Sequence, residues 1–139
     1  MIAVVDTSAV LRLFIPDGPI PDGLEAFFRG VESGTHVAIA PELLIVEATN
    51  VVVKKQRRGE LSVDEATELV SLLEQLPIRY FSHHTLYSRT HELAMETGLS
   101  AYDALFLALA LDRGTTLFTA DDRLQREAAA RGILSPRTG

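Results

Sequence analysis

Cysteine is absent from the 139 residues, which excludes disulfides and thiolate metal sites and leaves nothing that points to an oxidising compartment. A basic surplus is absent too. Only 13 Lys and Arg stand against 19 Asp and Glu, a net charge of −6, so no overall positive field draws in polyanions. No basic leader precedes the opening MIAVVD, and the longest apolar run, residues 104–111, falls far short of a membrane span. The expectation is a soluble, cytoplasmic protein with no membrane partner. Repeats, low-complexity tracts and interdomain linkers are missing as well. The four histidines, His36, His83, His84 and His91, lack the spacing of a zinc site and read as surface or strand-flank residues. With 47% apolar residues the chain reads as one domain over residues 1–139 with a single core, and residues 135–139 as a loose tail.

What is present is an alternation of short apolar runs and longer helical stretches. Residues 2–5 form a buried strand ended by Asp6, and Thr7-Ser8 opens a helix that continues to Ile15, before Pro16 and the turn cluster DGPIPDG. Residues 23–32 are helical, with Leu24, Phe27, Phe28 and Val31 on one face. Residues 37–40 make a second strand, and Pro41 suits the first turn of a buried helix running to Arg58 and stopping at Gly59. Ser62-Val63-Asp64-Glu65 is a capping box opening a helix to about Leu76. Residues 78–81 are a third strand, 86–97 a helix closed by Gly98, and Ser100 starts a helix closed by Gly114. Residues 115–119 are a fourth strand, 122–131 a last long helix, and Ile133-Leu134 a candidate fifth strand. Strands separated by helices imply a parallel sheet covered on both faces, with ligands bound beyond the carboxyl ends of its strands.

Four carboxylates stand among apolar neighbours: Asp6, Glu47, Asp103 and Asp121. Asp6 ends a strand, where it serves equally well as a helix cap. Glu47 is the only charge between Leu43 and Val53, with Leu43, Leu44 and Val51 on its own face; a salt bridge to an Arg is its ordinary explanation. Asp103 follows Ser100 by three residues and could complete a capping box, yet the ALFLALAL that follows carries it into the interior. Of Asp121 and Asp122, one caps the last helix; Asp121, nearer the strand end, is assigned to the cluster and Asp122 to capping or support. Brought together, two such charges ~4 Å apart repel by roughly 4 kcal/mol at an effective dielectric of ~20. Mg²⁺ or Mn²⁺ among them is the economical remedy and points to phosphate chemistry.

Some flanking groups are ambiguous. Thr7, Ser8 and Thr119 could hold waters of a metal shell or simply cap, and Arg12 could meet Glu47 or a phosphate. Lys54, Lys55, Arg57 and Arg58 read either as a solvated helix end or as a phosphate-tracking patch.

The blocks VVDTSAV, PELLIVEATNVV, YDALFLALAL and LFTADDRL, in that order, resemble the four signature blocks of PIN-domain ribonucleases, above all the VapC-like toxins of toxin–antitoxin pairs. The resemblance spans residues 2–124. It implies a three-layer α/β/α fold around a mainly parallel sheet of four or five strands. It also implies an acidic pocket of Asp6, Glu47, Asp103 and Asp121 holding Mg²⁺ or Mn²⁺, and hydrolysis of RNA to a 3′-hydroxyl and a 5′-phosphate. A cognate antitoxin and a homodimer are the implied partners, with residues 23–32 and 42–58 as expected interface elements. Three other readings compete. A haloacid-dehalogenase-type phosphatase needs an acid where Ser8 stands. A receiver domain wants a Lys after a late strand, and none follows Lys55. A PIN fold kept only for binding would not require the full acid set.

Overall fold

The computed structural model describes residues 1–134; the tail expected at 135–139 lies outside the described residues. The elements follow in the order β1 (Ile2–Val5), α1 (Thr7–Arg12), α2 (Leu24–Glu32), β2 (Val37–Pro41), α3 (Leu43–Arg57), α4 (Val63–Gln75), β3 (Ile78–Phe81), a short 3₁₀ turn (His84–Leu86), α5 (Tyr87–Thr97), α6 (Ala101–Arg113), β4 (Thr116–Phe118) and α7 (Asp122–Ala130). The four strands form one parallel sheet in the order β3-β2-β1-β4. Helices flank it, as expected. The fifth strand shrinks to one bridge, Leu134 beside Leu117, where the Leu117 N–H donates to Ile133 at 2.7 Å.

β1, β2 and β4 are short and apolar because both of their faces are covered, whereas the edge strand β3 carries the exposed Arg79. Ala3, Val4 and Val5 of β1 are fully buried. On one flank Phe27 of α2 rests against Phe118 of β4, ring centroids 5.0 Å apart, and stacks on His36 just before β2. On α6 every residue from Ala104 to Ala110 is buried, so the middle two turns of this helix have no wet face and only its ends reach the surface. Gly98 and Gly114 stop α5 and α6 in the left-handed conformation, at φ 75° and 61°, which residues with a Cβ adopt at a cost. Among the described residues no single helix is long and apolar enough to cross a membrane.

Two sequence expectations are corrected here. Pro41 does not begin a helix; it ends β2, opposite Phe81 of β3. Pairing of β2 with β1 stops at Ile39, so the missing N–H of Pro41 breaks no ladder on that side. Nor is α3 a buried helix. Its buried residues are Leu44, Ala48 and Val52, a single i, i+4, i+8 stripe, while Ile45 and Val46 are 50% and 66% exposed. Continuous β-branched sequence reads as core, but one stripe is all that this layer accepts.

The Ser62 capping box is realised in both directions, with Glu65 N–H donating to Ser62 Oγ at 3.1 Å and Ser62 N–H to Glu65 Oε1 at 3.0 Å. Ser62→Ala should lower stability by about 1 kcal/mol. Leu107→Ala, which opens a void in the fully buried centre of α6, should lower it by roughly 2–5 kcal/mol. Urea unfolding of the two variants checks both the values and their order.

Candidate active site

The carboxyl ends of β1 and β4 are joined by a hydrogen-bond network that begins at Asp6. Its backbone N–H donates to Phe118 O at 3.1 Å. Its carboxylate accepts from the Ala9 N–H and from Ser8 Oγ, each at 2.8 Å, and its other oxygen accepts from Thr119 Oγ1. The Ala120 N–H donates to Ser8 Oγ at 2.9 Å and the Asp121 N–H to Thr119 Oγ1 at 3.0 Å. Asp6 therefore does cap α1, and the same carboxylate anchors the loop after β4. Only 4% of it is exposed.

The other three acids arrive from separate elements. Glu47 projects from α3 and accepts from Thr7 Oγ1 at 2.7 Å; among the described residues no Arg pairs with it. Asp103 sits in the first turn of α6, where its N–H donates to Ser100 Oγ at 3.2 Å. No return bond from its carboxylate to the Ser100 N–H closes a capping box there. Asp121 caps α7, accepting from the Leu124 N–H at 2.8 Å. The expected division between the last two acids is thus corrected: Asp121 is itself the cap, and Asp122 is exposed in the first turn. A β-region residue just before the helix has the side-chain reach to cap, whereas the next one has already turned outward.

All four carboxylates line one cavity of about 420 Å³, with Thr7, Ser8, Arg12, Asp17 and Asn50 among its other walls. Its electrostatics are adverse for anions. Burial, which outweighs the hydrogen bonds from Thr119, Ala9 and Ser8, pushes the Asp6 carboxyl up to about 6, and the negative charge of Asp103 adds to this. Burial also raises Glu47, against the Thr7 hydroxyl and with help from Asp103. Asp103 is raised by burial and by the charge of Asp121, against Ser100 and Arg123. Three carboxyls that are harder to ionise than usual, facing a common space, form the environment a cation relieves.

The donor set fits a hard divalent ion by its chemistry, since the cavity walls offer carboxylate, hydroxyl and amide oxygens. Among the described residues no three acidic or histidine side chains close on one point as they stand. The acids converge on a cavity, not on a finished coordination sphere. Elsewhere, His36 contacts the N-terminal amine at 2.7 Å. His83, His84 and His91 line a separate apolar groove with Tyr87 and Tyr102. Lys55 is occupied by Asp17 and Glu60, at 3.2 and 3.3 Å, so one member of the basic cluster is committed within the chain.

Residues 3–130 match the PIN domain family. The chain belongs to this family. It is 30% identical to Ribonuclease VapC3 of Pyrobaculum aerophilum over 129 residues, covering 91% of this chain and 95% of that protein. Two crystal structures share the fold. PAE2754 from Pyrobaculum aerophilum superimposes with a TM-score of 0.67 at 22% identity, covering 90% of this chain and 83% of that one. VapC20 of Mycobacterium tuberculosis, a toxin that cleaves the sarcin–ricin loop, gives 0.65 at 18% identity, covering 97% and 98%. In this PIN domain, Thr119 is the residue whose weight the sequence did not reveal. Its hydroxyl stood out only by sitting two residues before Asp121, and capping explained it equally well.

The raised Asp6 value sets the sign of a pH effect. A carboxyl whose folded value, about 6, exceeds its ordinary 3.8 favours the folded chain fully below 3.8, and that contribution is lost as pH rises through about 6. In metal-free buffer, Asp6→Asn should match the parent in stability near pH 4 and exceed it at pH 7 by up to ~3 kcal/mol. Denaturant titrations of both proteins across that range would show the two curves diverging; parallel curves would contradict the assignment.

Proposed function

We propose that this PIN domain is a metal-dependent endoribonuclease, the toxin member of a toxin–antitoxin pair. The observation that carries the reading is the convergence of Asp6, Glu47, Asp103 and Asp121, from four separate elements, on one cavity at the strand ends. Family membership and the likeness to Ribonuclease VapC3 support the same chemistry. Asp6 and Asp103 would anchor Mg²⁺ or Mn²⁺, with Glu47 and Asp121 completing its shell or helping to hold a second ion. When bound, such an ion supplies acidity to a water and neutralises charge building on the phosphate oxygens.

The chain's own groups fix where this happens. Thr119, Ser8 and the Ala9 N–H hold Asp6 in a single orientation, and Thr7 orients Glu47. The backbone bond from Asp121 to Thr119 ties the β4 loop to the same oxygen that steadies Asp6. No Ser, His or Cys nucleophile is required. The products would be a 3′-hydroxyl and a 5′-phosphate.

The expected partners are an RNA substrate, a cognate antitoxin and a second copy of the chain. An apolar face supports the homodimer. Ile45, Val46 and Tyr102 are 50%, 66% and 62% exposed and line a shallow cavity with Leu43, Thr49, Asn50 and Val53. This face supports self-association through α3 and the start of α6. The α2 helix is a poorer candidate, because Leu24, Phe27 and Phe28 are spent in the core.

Labelled RNA incubated with Mn²⁺ should be cut, and chelator should stop the cutting. Asp6→Asn and Asp103→Asn should reduce cleavage to background. Thr119→Val, which removes a support of Asp6 and leaves the acids in place, should lose about 10–100-fold. Cutting that persists in chelator, or an Asp103→Asn protein as active as the parent, would refute the mechanism.

A further inference from the structure

Among the residues lining the acidic cavity, one carries a positive charge: Arg12, from the last turn of α1. It is half-buried, and among the described residues it makes no ion pair and no hydrogen bond. Glu47, which the sequence offered as its partner, is held by Thr7 instead. Asp17 lines the same cavity but is engaged by Lys55 at 3.2 Å. A guanidinium left free beside so many carboxylates calls for a reason, since pairing is the cheapest arrangement for either charge.

The position of its head group supplies one. A Cβ added to Gly18 would lie 1.9 Å from Arg12 Nη1 and 2.8 Å from its Cζ. The guanidinium is therefore laid against the bare backbone of the loop after α1, and glycine is what makes the space. Gly18 lines a second cavity of about 510 Å³ that adjoins the first, sharing Arg12 and Asp17 with it and also bounded by Thr119, Ala120 and Gln125. Arg12 thus lines both cavities, with its head group against Gly18.

We propose that Arg12, seated on Gly18, is a phosphate-binding group for the RNA backbone next to the bond that is cut. The inference rests on the ribonuclease reading and deepens it. An RNA strand entering an acidic cavity of a protein with net charge −6 needs a cation where its neighbouring phosphate passes. A planar, permanently charged guanidinium with paired N–H donors suits phosphate oxygens. Arg12 is a positioning residue. It selects for a polymer with a flanking phosphate and fixes its register, while the acids do the chemistry.

The test compares the parent with Arg12→Ala, Arg12→Lys and Gly18→Ala on labelled single-stranded RNA with Mn²⁺, over a series of salt concentrations. Gly18→Ala keeps every charge and displaces only the flexible end of Arg12. Both Arg12→Ala and Gly18→Ala should raise KM about tenfold with kcat altered less than about threefold, and the slope of log KM against log salt should fall by about one. Arg12→Lys should recover part of the loss. An unchanged KM overturns the inference, and so does a fall in kcat together with the melting temperature, which marks a structural role. A parent protein that cuts no RNA overturns the ribonuclease reading itself, and that failure is visible before any variant is compared.

Discussion

A single buried carboxylate ties the central strand β1 to its edge neighbour β4 and at the same time creates the fold's chemical problem. Asp6 receives three hydrogen bonds, from Ala9, Ser8 and Thr119, and each favours the charged form. They are not enough. Burial still wins, and the group stays harder to ionise than a carboxyl in water. A fold that needed only a cap for α1 could have used Ser or Asn and avoided the penalty. Retaining an acid there costs stability, and its charge is one that a nearby cation would relieve.

Topology explains why acids so distant in sequence meet. With strand order β3-β2-β1-β4, the chain leaves β1 for one neighbour and later returns to pair on its other side. The crevice opens above β1, where the direction of winding reverses. Asp6 follows β1 directly and Asp121 follows β4. Glu47 rides on α3, the helix that leaves β2, and Asp103 on the first turn of α6. Four independent chain segments each deliver one carboxylate, so the cavity exists only in the assembled fold.

Much of this was legible in the sequence, for identifiable reasons. Strands β1 and β3 fall where their apolar runs begin and end, and Gly98 and Gly114 stop their helices because the left-handed cap has a strong residue preference. The acids could be picked out because charge is rare in apolar surroundings. Pro41 misled because proline suits both the first turn of a helix and a strand position whose N–H has no ladder to join. The burial of α3 misled because Ile45 and Val46 are apolar without being interior. Such residues look alike in sequence whether they face a core or a partner. Thr119 and Arg12 were undecidable for a third reason: their weight comes from partners more than a hundred residues away or from a gap left by a glycine, and neither leaves a local pattern.

Two helices in this chain start alike and show how one methylene decides which way an acid turns. Ser62 and Glu65 open α4, and Ser100 and Asp103 open α6, each with the acid three residues after the serine. In α4 the longer Glu side chain reaches back to the Ser62 N–H at 3.0 Å, and those cap bonds pull its carboxyl below the usual range. In α6 the shorter Asp leaves the return bond unmade. Its carboxylate turns to the cavity, where burial and Asp121 push it the other way. Replacing Asp103 with Glu would restore the box and withdraw the charge from the site. The spacing alone describes a helix start; the residue type at the third position decides whether the acid belongs to the helix or to the cavity.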